Sequence, residues 1–160
     1  MVSGEASAGT DDGGAEAVSL AASYTETSEV LMPDATNNLG RALGGWVLER
    51  MDVGGVIAAR RFARSQVVTA SIDRVDFHAP IDLGDVVVLA AYVYDVGETS
   101  MRVRVDVHAE RPSEGVRRET ASSHLTFVAI DEDEQVRPVP ELAVETKRER
   151  DLRRCAREAE

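Results

Sequence analysis

Between Asn37 and Asp52 the chain carries three features that could do chemistry: Asn37 itself, the pair Gly44-Gly45, and Asp52. The glycine pair stands where a segment of helical periodicity begins. Two residues without side chains there let a ligand approach the unbonded N–H groups of a first helical turn, at the positive end of the helix dipole. Such donors suit a carbonyl oxygen that becomes negative when its carbon is attacked. A tight turn into the helix would use the same glycines, so the pair alone does not decide. Asp52 lies two turns further on, with Leu48, Glu49, Gly55 and Val56 as its neighbours at three and four residues. A carboxylate at the edge of an apolar face is costly unless it is partnered or used, and aspartate is a poor helix former. Pairing with an arginine or capping would account for it as well as chemistry would.

Helix geometry sharpens the choice. Gly45 and Asp52 are seven residues apart, which is about 10 Å along a helix. The amides and the carboxylate of one chain therefore cannot hold the same reacting group. If both act, they come from two subunits whose helices lie antiparallel, and the site straddles a two-fold dimer interface. Asn37, in the loop before the helix, stays with its own amides and faces the partner subunit's Asp52.

The elements around these residues follow from pattern. Residues 1–16 are small, polar and acidic and are expected to form a disordered acidic tail. A weakly patterned first strand is expected over 18–32, then a loop over 33–40 rich in turn residues. The helix runs from about Leu43 to Ala63, with Val47, Met51, Ile57, Ala58 and Phe62 on its apolar face and Gly54, Gly55, Ala58 and Ala59 making a slim flank. Two internal glycines cost about 1 kcal/mol each against alanine, which is tolerable where another backbone must come close. Four strands follow. The phase slip from Ile72 to Val75 suggests a bend near Asp73–Arg74. Residues 85–96 are apolar on both faces, which suggests burial against a second copy. Residues 100–111 alternate cleanly, and 116–130 form the last long strand. Residues 141–160 read as a charged helix anchored by Leu142 and Leu152. The fold class is α+β: one domain over 17–140, with a curved antiparallel sheet wrapped around one central helix, plus the C-terminal helix.

Composition narrows the function. The chain has 160 residues, 29 acidic against 18 basic, and a net charge of −11. That surface argues against nucleic acid, which needs cationic side chains, and against an anionic membrane. Lys147 is the only lysine. An acidic, lysine-poor surface fits a cytoplasm at molar salt, where charge is screened within about 3 Å (a halophilic reading); arginine-favouring codons and ordinary acidity are the alternative. The only cysteine, Cys155, permits no internal disulfide or thiolate cluster. The absence of a leader-like or spanning segment gives a cytoplasmic expectation. His78, His108 and His124 have no ligand or triad spacing, so no metal is expected. Arg60, Arg61 and Arg64 at the helix end could meet phosphates, and Thr69 and Ser100 could line a pocket.

The segment Leu43-Gly44-Gly45-Trp46-Val47-Leu48-Glu49-Arg50-Met51-Asp52-Val53-Gly54-Gly55 resembles the helix signature of hotdog-fold acyl-CoA thioesterases. The similarity extends to the cytosolic brain-type hydrolases and their single-domain bacterial relatives of broad specificity. It continues through Val67–Asp73, Phe77–Ile81, Leu83–Asp85, Gly97–Met101, Phe127–Ile130 and Pro138–Pro140, and it departs at Leu43, where many relatives have histidine or phenylalanine. The resemblance implies hydrolysis of acyl-CoA to free fatty acid and coenzyme A, in lipid metabolism. It implies Asp52 as the catalytic carboxylate and Asn37 acting from the opposite subunit. With the Gly45 amide as carbonyl donor, Asp52 would activate water or attack directly to give an anhydride. Substrate contacts are expected from Gly44, Thr69, Ser100, Arg60 and Arg64. No cofactor is implied beyond the coenzyme A of the substrate. A homodimer is the minimum assembly, and a hexamer built as a trimer of dimers is the family's common form. Among rivals, a hotdog hydratase lacks its paired Asp and His here, and a non-catalytic acyl-CoA-binding hotdog sensor is the alternative from another class.

Overall fold

The computed structural model describes residues 16–160. The acidic tail expected over 1–16 lies, apart from the exposed Glu16, outside the described residues. Chain order is β1 (Val18–Ser19), α1 (Leu20–Ser23), β2 (Thr25–Val30), a 3-10 turn (Pro33–Ala35), α2 (Gly44–Ala63), β3 (Gln66–Ile72), β4 (Asp76–Phe77), β5 (Val86–Val96), β6 (Ser100–Arg111), β7 (Val116–Ile130), β8 (Leu142–Ala143) and α3 (Lys147–Glu158). The main sheet is antiparallel in the order β2-β5-β6-β7-β3, with β4 added against β7. It curls around α2, as the sequence pattern predicts.

The core forms because α2 buries one stripe against the concave face of this sheet. Met51, Ala58, Ala59 and Phe62 are fully buried, as are Val93, Met101, Val103, Val105, Leu125 and Phe127 opposite them. The slim flank has its expected use. A Cβ on Gly55 would stand 2.8 Å from the Phe127 ring, and one on Gly54 would collide with Leu89. Side chains there would push the sheet off the helix, at about 1–3 kcal/mol for each overpacked site. The strict alternation of β6 is matched residue by residue by its burial. Arg64 ends α2 in the left-handed region at φ 54°.

Four expectations change. The weakly patterned 18–32 segment is not one strand: Ser19 Oγ accepts from Ala22 N at 3.1 Å and caps a single helical turn before β2 begins. The bend after β3 is split in two, a register shift at Ala70 between Thr69 and Ser71 and an unpaired stretch over 73–75 before β4. The second face of β5 is covered by the same chain, not a second copy. There Leu20 of α1 and Ala156 of α3 pack with Tyr92 and Tyr94. Finally, residues 141–146 are not helical. Leu142–Ala143 pair in parallel with β1, and a capping box between Thr146 and Glu149 sets the start of α3 six residues later than expected.

Candidate active site

Asp52 is half-buried on α2, and its Oδ1 accepts a hydrogen bond from Thr69 Oγ1 at 2.8 Å. Three local features bring the two together. Gly55 lets the Phe127 ring lie against the helix. Thr69 is the β3 residue that pairs with Phe127, so both side chains stand on the helix-facing side of the sheet. The extra residue Ala70 then ends the regular register just beyond Thr69, the usual effect of a bulge being to re-aim a side chain. Asp52 is thus partnered by a hydroxyl, not by the arginine that the sequence left as an alternative. Its second oxygen has no partner among the described residues.

The first hydrogen bond of α2 runs from Val47 N to Leu43 O at 3.1 Å. The N–H groups of Gly44, Gly45 and Trp46 therefore precede the helix's own ladder, and Leu43 supplies no side-chain cap. A Cβ on Gly45 would meet nothing within 4 Å, so no packing within the subunit demands glycine there. Asn37 is tied to this end of the helix. Leu43 N donates to Ala35 O at 3.0 Å and Asn37 N to Arg41 O at 2.8 Å. Asn37 Oδ1 accepts from Leu39 N at 2.9 Å and Arg41 N at 3.2 Å. The carboxamide oxygen is spent on the loop, and Nδ2 is the group left to donate. Because α2 is continuous, Asp52 stays about 10 Å along the axis from the Gly45 amide.

The structure does not gather every expected residue here. Arg60 and Arg64 lie at the far end of α2, in an open cleft of about 640 Å³ lined also by Arg61, Arg137, Asp131 and Glu132. Four arginines against two acids make it a cationic spot on an anionic protein. Arg137 was not singled out from sequence, since only folding returns it to the helix end. Ser100 does not join Asp52: it pairs with Val128, which pairs with Val68, one position out of phase with Thr69 and so on the sheet's opposite face. Of the histidines, His78 Nε2 is 3.2 Å from Ser122 Oγ and 3.8 Å from Glu119 Oε1. Hydroxyl and carboxylate meet the same nitrogen, so they form no relay. Among the described residues no cluster of His, Cys, Asp and Glu is placed to hold a metal, and no helix is long and apolar enough to cross a membrane.

Comparison with known proteins gives this arrangement a family. A sequence profile described as the thioesterase superfamily matches residues 39–116, the stretch that holds Gly44, Gly45, Asp52 and Thr69. The uncharacterized acyl-CoA thioester hydrolase YkhA of Bacillus subtilis is 43% identical over 124 residues, covering 78% of this chain and 72% of that one. The chain belongs to the thioesterase superfamily. Solved thioesterases share its hotdog fold. A hexameric acyl-CoA thioesterase in its apo form superposes with a TM-score of 0.83 at 38% identity, over 89% of this chain and 92% of that one. An acyl-CoA hydrolase from Staphylococcus aureus, solved in complex with butyryl coenzyme A and coenzyme A, gives 0.82 at 32% identity, over 88% and 86%. That hydrolase has also been solved with an aspartate, an asparagine or a threonine replaced by alanine. The free amides stand at the start of α2, and Asp52, bonded to Thr69 of β3, lies two turns further along the helix.

Proposed function

We propose that this protein hydrolyses acyl-CoA thioesters, with each active site shared between two subunits. The observation that carries the reading is the pairing of Asp52 on the central helix with Thr69 on β3, in a thioesterase fold. A second one supports it. The three positions altered in the Staphylococcus aureus hydrolase follow one another at separations of 15 and 17 residues, the separations of Asn37, Asp52 and Thr69.

In this reading the Gly45 amide and Asn37 Nδ2 of one subunit receive the thioester carbonyl. The partner subunit's Asp52, its Oδ1 fixed by a threonine hydroxyl, uses the free oxygen to take a proton from water. The water oxygen bonds to the carbonyl carbon, the amides stabilise the negative oxygen, and the C–S bond breaks. The proton passes to the leaving thiolate, giving free acid and coenzyme A. Arg60 and Arg64 stand eight and twelve residues beyond Asp52, about 12 and 18 Å along the helix. The arm of coenzyme A between sulfur and diphosphate reaches roughly 16 Å when extended. The cationic cleft is thus at the right distance for the phosphates of a substrate whose thioester lies at Asp52.

The minimal unit in this reading is a homodimer with antiparallel α2 helices, and the hexameric relative supports three such dimers. It works in the cytoplasm, where acyl-CoA is made and consumed in lipid metabolism, with a surface suited to high salt. Thiol release from an acyl-CoA panel in high salt tests the assignment. Asp52→Asn should lower turnover by about 10²–10⁴-fold, the usual contribution of a general base, with fold and oligomer unchanged. Normal hydrolysis by that variant would remove Asp52 from the scheme, and tight acyl-CoA binding without turnover by the wild type would favour a sensor.

A further inference from the structure

A cavity of about 330 Å³ opens between the first turn of α2 and strands β4 and β7. Gly44 lies at its edge, and Ala42, Val47, Ile81, Ala121 and Phe77 form its apolar walls. Val47, Ile81 and Ala121 are buried, whereas Phe77 is 56% exposed. The Phe77 ring stands 3.7 Å from where a Cβ on Gly44 would be, so glycine at that position keeps the mouth open between ring and helix. Thr120, also in the wall, donates its hydroxyl to Val107 O at 3.0 Å, and His78 is the titratable side chain of the lining, its Nε2 turned to Ser122 Oγ at 3.2 Å.

Resting on the reading above, we propose that this cavity takes the acyl chain and that Phe77 and Ala42 set the length it accepts. Its wall includes Gly44, the neighbour of the Gly45 amide that receives the carbonyl, so a chain attached to that carbon enters a space walled mainly by apolar side chains. The volume equals that of about eleven liquid waters at about 30 Å³ each, and a methylene takes slightly less room than a water. With allowance for the bulkier terminal methyl and for packing looser than in liquid water, a straight, uncharged chain of roughly eight to ten carbons fills it. Longer chains must pass Phe77, whose exposed ring is the movable part of the wall. Each methylene added inside the limit should raise kcat/KM by about fourfold through burial.

The test is kcat/KM across saturated acyl-CoAs of about four to sixteen carbons for the wild type, Phe77→Ala and Ala42→Leu. The expected wild-type optimum is at about eight to ten carbons. Phe77→Ala should raise the ratio of long-chain to short-chain kcat/KM by about tenfold or more, and Ala42→Leu should lower it by a similar factor, since each alters the space by two or more methylenes. Phe77 is too exposed for its removal to open the core, and a thermal melt of both variants checks that the fold persists. If the wild type hydrolyses acyl-CoA and neither substitution moves the profile, the cavity is not the acyl site and the hydrolase reading survives. If no acyl-CoA is hydrolysed at any length, both proposals fail.

Discussion

Asp52 joins a local fact to a distant one. It is a weak helix former at the edge of an apolar stripe, and sequence alone leaves arginine pairing and chemistry level. The 2.8 Å bond from Thr69 favours chemistry, because a neutral donor fixes the carboxylate without neutralising it. Thr69→Ala should therefore lower kcat by about tenfold, the worth of one hydrogen bond of about 1 kcal/mol or slightly more, with KM for acyl-CoA little changed. Thr69→Ser, which keeps the hydroxyl, should recover most of the loss. An alanine variant with wild-type kcat would show that the bond is structural only. Gly45 is the complementary case: its glycine is not explained by anything within the subunit, and the space beside it suits a substrate carbonyl.

At the scale of elements, α3 and the outer sheet face hold a pH-sensitive contact. His124 Nε2 donates to Ala156 O at 2.8 Å beneath the helix. Burial pushes its pKa below the ordinary value near 6.5, and the Arg104 guanidinium adds to this against the helix carbonyl's opposing effect. The unfolded chain takes up the proton at about pH 6.5 while the folded chain resists it. Stability from this group is thus complete above that pH and declines as pH falls through the depressed folded value. Glu149 acts later. Burial would raise its pKa, but donors from Ala21 and Thr146 outweigh that and lower it, so its contribution fades below the ordinary carboxylate range. The urea midpoint should begin to fall just below about pH 6.5, and His124→Gln should flatten that first decline. An unchanged slope in the variant would clear His124.

At the scale of the whole molecule the proposed site reaches beyond one chain. In that reading a 20-residue helix with amides at its start and a carboxylate two turns later needs a second copy to complete the site. Mixing the separately inactive Asp52→Asn and Asn37→Ala proteins after reversible dissociation gives the sharpest check. In a symmetric dimer the mixed pair regains one intact site of two, so random exchange should restore about a quarter of wild-type activity. Chains that each hold a complete site would show no recovery. Edge strands β2 and β3 leave room for such a pairing without disturbing the core.

Much of this was legible in the sequence, because the signals were local or periodic. The period of α2, its glycines, the alternation of β6 and the helix length that separates Gly45 from Asp52 are fixed by backbone geometry over a few residues. Tertiary structure decided the rest. Thr69 meets Asp52 across 17 residues only because a glycine admits Phe127 and a bulge follows. Ser100 faces away because one step along a strand reverses the side chain. The second face of β5 is covered by α1 and α3 of the same chain, and Phe77 becomes a cavity wall only where β4 passes the start of α2. These are contacts between elements distant in sequence, and no local pattern encodes which of several apolar faces will meet.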